Sequence, residues 1–146
     1  MTDPADAARE YVLETHAETV ELVLRRADAV AETWDGDTTA DRSAVADSLR
    51  ARLRAAGAWT RLPDVLAGAA RAVGHSLSAP PVADPPYVAA TSRGPMLRAT
   101  FPDGRLVILV QVFEVERAGD SRRYRGGPRY RRGPTTPDDA VRATFK

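Results

Sequence analysis

Residues 87–117, YVAATSRGPMLRATFPDGRLVILVQVFEVER, decide the fold, because only there do β-branched and aromatic side chains dominate while turn residues recur at strand-length intervals. The spacing predicts a three-stranded antiparallel meander with strands at about 87–91, 96–101 and 105–116. Ser92-Arg93-Gly94-Pro95 and Pro102-Asp103-Gly104 are the predicted connections. Proline presets φ in the second turn, and glycine is expected there to supply a positive φ.

The third strand is read face by face with a period of two. Leu106, Ile108, Val110 and Val112 lie on one side before Glu114 and Glu116; Val107, Leu109, Gln111, Phe113 and Val115 lie on the other. The first half is therefore apolar on both faces, so the sheet needs a cover above and below. Helices supply one, and a second copy of the chain is the simplest supply of the other. Self-association is expected.

Working outward, 146 residues with 43% apolar content suffice for one domain with a core. The absence of cysteine removes disulfides, thiolate nucleophiles and thiolate-bound metals. The start, Met1-Thr2-Asp3-Pro4-Ala5-Asp6, is acidic where a targeting segment is basic, and the run 106–110 is far shorter than the ~20 residues of a membrane span. A cytoplasmic protein with no membrane partner is expected. The net charge of +1 conceals a gradient: residues 1–48 sum to −8, residues 49–116 to +3 and residues 117–146 to +6.

Helices are predicted at about 4–34, 41–56 and 62–77. In the first, Leu13, Ala17, Val20, Leu24, Ala27, Ala31 and Trp34 form one stripe, Asp3 caps, and Glu14, Glu18, Glu21, Asp28 and Glu32 face water. A coiled-coil seam fits the same repeat, but its many alanines favour packing on the chain's own sheet. The run 35–41, DGDTTAD, has calcium-loop spacing yet lacks the turn glycine (Ala40) and the closing carboxylate (Ala46), so it reads as a loop with a capping aspartate. Helix two carries Val45, Leu49 and Leu53 inward and stops at Gly57. Helix three starts near Pro63, and its Ala67-Gly68-Ala69-Ala70 run implies a close neighbour. The proline-rich run 79–86 is an extended connector.

The catalytic menu is short. His16 falls on an apolar helix face and reads as partly buried; His75, in Gly74-His75-Ser76-Leu77-Ser78, lacks both the glycine and the strand-to-helix context of a nucleophile elbow. Glu114 and Glu116, about 7 Å apart by strand rise, read as a solvated strand end rather than a catalytic pair. No enzyme, cofactor or metal site is expected.

Residues 118–146 read as a flexible basic arm, ending in a short helical turn at 138–146 from which Val141 and Phe145 touch the body. Arg122, Arg123, Tyr124, Arg125, Arg129, Tyr130, Arg131 and Arg132 are the candidate binding residues: arginines for phosphates, tyrosines for stacking on exposed bases, glycines for a pliant backbone. An acidic protein partner and the chain's own acidic first helix are competing targets for the same charges. A winged-helix reading is weaker, because the recognition helix would offer only Arg71 and His75.

Residues 79–115, APPVADPPYVAATSRGPMLRATFPDGRLVILVQVFEV, with the acidic helix before them, resemble small uncharacterised proteins of halophilic archaea. The resemblance covers most of residues 1–117 and implies a cytoplasmic protein with no assigned activity and no functional residues to carry over. Such proteins are strongly acidic; here residues 1–116 are −5, and the basic tail reverses the sign.

The expected architecture is thus α+β, with three N-terminal helices on a three-stranded antiparallel meander in one domain (1–117), followed by the basic arm (118–146). The expected function is a non-catalytic binding or interaction module, self-associating or engaging a protein partner. The alternative is an accessory nucleic-acid binder acting through the arm.

Overall fold

A computed structural model describes residues 3–116 and 128–146. The chain begins with helices α1 (Pro4–Thr15) and α2 (Ala17–Glu32), a two-residue strand β1 (Thr38–Thr39) and helix α3 (Ser43–Ala55). A 3₁₀ turn (Trp59–Arg61) leads into α4 (Leu62–Ala72). Strands β2 (Val88–Ala90), β3 (Pro95–Phe101), β4 (Gly104–Val110), β5 (Phe113–Glu116) and β6 (Arg129–Arg132) follow, then α5 (Pro137–Ala140) and β7 (Val141–Phe145). The architecture is α+β, with two antiparallel sheets ordered β2-β3-β4-β7 and β1-β6-β5.

The central hairpin turns where the sequence places it, with Phe101 opposite Gly104 across Pro102-Asp103. The reason for the glycine differs from the expected one. Gly104 is not among the glycines with positive φ. Instead, a Cβ there would lie 2.5 Å from the Phe145 ring, so any side chain at this position requires that ring to move. The conformational demand falls on Gly94, at φ +147°, where a Cβ would collide with the Val110 carbonyl oxygen.

The single long strand predicted over 105–116 is two strands. At Gln111-Val112 the chain leaves one sheet for the other, and the Arg93 carbonyl accepts from both Val112 N (2.8 Å) and Phe113 N (3.0 Å). The switch carries Phe113 into the core, where its ring lies 5.6 Å from that of Trp34.

The helical prediction needs two corrections. Residues 4–34 form two helices that break at His16 (φ −120°, ψ 30°), which lets α1 pack on α4 and β7 while α2 packs on α3. The buried face accordingly shifts from Leu13 to Ala8 and Val12 in α1, then continues through Val20, Val23, Leu24, Ala27 and Val30. The third helix ends at Ala72 rather than 77, because Gly74 at φ +88° turns the chain out of helical geometry. Asp3 caps α1 as expected, and the Asp41 carboxylate accepts from the amides of Ser43 and Ala44 at the start of α3. The small-residue run of α4 meets α1 closely enough that a Cβ on Gly68 would strike the Tyr11 ring.

The largest correction concerns the arm. Residues 129–132 are the central strand of the second sheet, and 141–145 form an edge strand of the first, so the described part of the C-terminal segment is built into the fold. Two physical causes override its charged composition. Val141, Ala143 and Phe145 alternate as a half-buried strand does, and the arginines of β6 find partners, Arg131 across the sheet on Glu114 and Arg132 on Asp28 of α2.

Candidate interaction surface

Alternation along the four-stranded sheet separates its faces. Leu97, Ala99, Phe101, Leu106, Ile108, Val110 and Val141 point into the helices and are buried. The residues between them point the other way, and the register sets them in rows. Ala89, Met96, Leu109 and Arg142 form one row; Arg98, Val107 and Thr144 the next; Thr100, Arg105 and Lys146 the last. Every residue on this face is half-buried or exposed. Its centre is apolar (Met96, Val107, Leu109) and its rim carries four cations (Arg98, Arg105, Arg142, Lys146). Among the described residues no aspartate or glutamate shares these rows, Asp103 of the adjoining turn lies beside Arg105 and Lys146, and none of the four cations is in an ion pair. The second apolar face expected from strand three is present here, and among the described elements the helical cover that α1 and α4 give the inner face has no counterpart on it.

Of the residues that sequence composition singles out, the described ones sit elsewhere. Arg122, Arg123, Tyr124 and Arg125 lie outside the described residues. On β6, Tyr130 points inward and is 6% exposed, Arg129 donates to the Thr38 hydroxyl at 2.8 Å, and Arg131 bridges Glu114 (2.6 Å) and Glu116 (3.2 Å). That last contact gives the two glutamates a role: alternate residues of β5, they share one face and hold one guanidinium between them. Arg132, its side chain 16% exposed, bonds Asp28 and the carbonyls of Val112, Pro134 and Leu24. These four residues are committed to holding the second sheet together.

The histidines are held by neighbours. The Tyr11 hydroxyl and His16 Nε2 are 3.0 Å apart, and burial, outweighing the attraction of Asp64, pushes the His16 imidazole below its ordinary value. His75 Nε2 lies 2.9 Å from Asp103, with its ring stacked on Phe101 at 4.3 Å and 8°. Beside it, Ser76–Ala79, Pro86 and Tyr87 form a cleft of about 350 Å³ with Arg98 and Thr100. Among the described residues no group of three or more His, Asp or Glu is placed to hold a metal ion, and no helix is long and apolar enough to cross a membrane.

The rim cations Arg142 and Lys146, on and just after β7, are hidden from sequence reading when 138–146 reads as a helical turn. The alternation Val141-Arg142-Ala143-Thr144-Phe145 is the signal that finds them. A family model, a domain of unknown function (DUF7988), matches residues 6–146. No curated protein and no solved structure matches the chain.

Proposed function

The chain belongs to the DUF7988 family, and from that premise we propose a non-catalytic protein-interaction module that docks an acidic, amphipathic protein surface on the open face of its four-stranded sheet. One observation carries the reading: among the described residues, four cations without ion pairs flank three adjoining apolar side chains in rows that hold no aspartate or glutamate. The apolar centre supplies burial at roughly 25 cal/mol per Å². The rim selects against basic and in favour of acidic partners.

The partner we propose is a second copy. Exposed Glu10, Glu14, Glu18 and Glu21 line the outer side of α1 and α2, so the chain carries a surface complementary to its own sheet. Stacking sheet on sheet about a two-fold axis would oppose cations with cations, so the contact is head to tail, sheet of one copy to helices of the next. Exposed ion pairs contribute about 0.2–1 kcal/mol each, which makes the association weak and salt-sensitive. At molar salt, where the Debye length is about 3 Å, the apolar centre is left to carry it.

Sedimentation velocity tests this directly. Concentration-dependent association in low salt that weakens as salt rises is the expected result; a monomer at every concentration and salt contradicts it. The nucleic-acid alternative rests on Arg122, Arg123, Tyr124 and Arg125, since the fold engages the other four residues named for it. Anisotropy of labelled single-stranded RNA and DNA over a salt series tests it separately, a steep negative log-log slope being the signature.

A further inference from the structure

The cleft beside His75 shares Arg98 and Thr100 with the docking face and adds groups that the face does not use. Arg98 lines it, half-buried, and among the described residues its guanidinium has neither an ion pair nor a hydrogen bond. Of the carboxylates nearby, Asp103 lies 2.9 Å from His75 and Asp84 4.0 Å from Arg54, while Asp64 lines an adjoining cavity with Arg71 and Ser76–Ala79. Ser76, Ser78 and Tyr87 also line the cleft, and Pro86 and Phe101 are among its apolar lining residues. A guanidinium partly withdrawn from water favours an anion that fills its planar donor fork, and neighbouring hydroxyls complete the coordination of an oxyanion.

We propose that this cleft binds a small molecule with one oxyanion group, phosphate or carboxylate, attached to an apolar body. The oxyanion meets Arg98 and the serine hydroxyls, and the body lies against Pro86 and Phe101. A volume of about 350 Å³ admits a ligand of single-ring size. The site overlaps the docking face at Arg98 and Thr100, and neither Arg105 nor Arg142 lines it.

The test is a ¹⁵N-correlation NMR titration of the full chain with phenyl phosphate, benzoate and inorganic phosphate in parallel. Saturable shifts centred on Ser76, Ser78 and Arg98 are expected, with phenyl phosphate or benzoate binding more tightly than inorganic phosphate. The order of the first two identifies the head group. Arg98→Gln, on the outward face of β3, weakens binding about tenfold, the loss of a charge-assisted contact, whereas Arg105→Gln leaves it unchanged. Shifts that do not saturate, that spread over all the exposed arginines, or that survive Arg98→Gln overturn the proposal. If Arg98→Gln is misfolded by its own spectrum, Ser78→Val takes its place, with the same loss expected and unchanged binding counting against the site.

Discussion

Arg132 and Asp28, 104 positions apart in the chain, meet with Nε 2.7 Å from Oδ1, and this contact fixes the second sheet to helix α2. The same guanidinium donates to the carbonyls of Val112 and Pro134 at 2.6 Å and of Leu24 at 3.2 Å. A planar fork satisfies this set of acceptors in a way that a point charge does not. Arg132 is mostly buried and Asp28 mostly exposed, so the carbonyl contacts matter more than the ion pair.

Arg132→Ala is accordingly expected to cost about 2–3 kcal/mol in urea unfolding, because it strands carbonyl groups as well as removing a charge. Arg132→Lys recovers less than half of that loss. Arg131→Ala, whose side chain is half exposed, stays within about 1 kcal/mol of the wild type. Equal losses for the two alanine variants would contradict the distinction.

Gly94 and Gly57 both have positive φ but differ in surroundings. A Cβ at Gly57 meets nothing within 4 Å, whereas at Gly94 it collides with the Val110 carbonyl oxygen just before the chain changes sheets. Gly57→Ala is expected to cost about 1 kcal/mol and Gly94→Ala at least about 3 kcal/mol or the fold itself, read from thermal melts.

His16 ties stability to pH. Its imidazole is held below its ordinary value by burial, so the unfolded chain binds the proton more readily than the folded one. Stability is complete above the ordinary value of about 6.5 and falls as pH drops through it toward the lower folded value. His16→Gln is expected to flatten the dependence of unfolding free energy on pH across this window. An unchanged slope assigns the dependence to other groups.

The parts of the fold legible in the sequence are those whose signals are local. The Pro102-Asp103 turn marks the β3–β4 hairpin, Gly57 marks the end of α3, and Val107 with Leu109 reveals a second apolar face. The break at His16 has no proline or glycine to announce it and comes from packing: α1 must reach α4 and β7 while α2 lies on α3. Strand β6 was obscured because RYRR reads as a charged tail until Glu114 and Glu116 are set opposite it. Half of the sheet's outer face is therefore legible in the sequence. The β7 side, with Arg142 and Lys146, is not, because of the nine residues 138–146 that read as a helical turn three are helical and five form a strand.

Head-to-tail docking makes a prediction that no symmetric contact shares. A sheet variant (Arg105→Glu with Arg142→Glu) retains its helical surface, and a helix variant (Glu14→Arg with Glu18→Arg) retains its sheet. Each alone is expected to sediment as a monomer where the wild type associates, and an equimolar mixture is expected to form a one-to-one complex that grows no further. Wild type that stays monomeric throughout, or variants that fail to complement each other when mixed, would contradict the account.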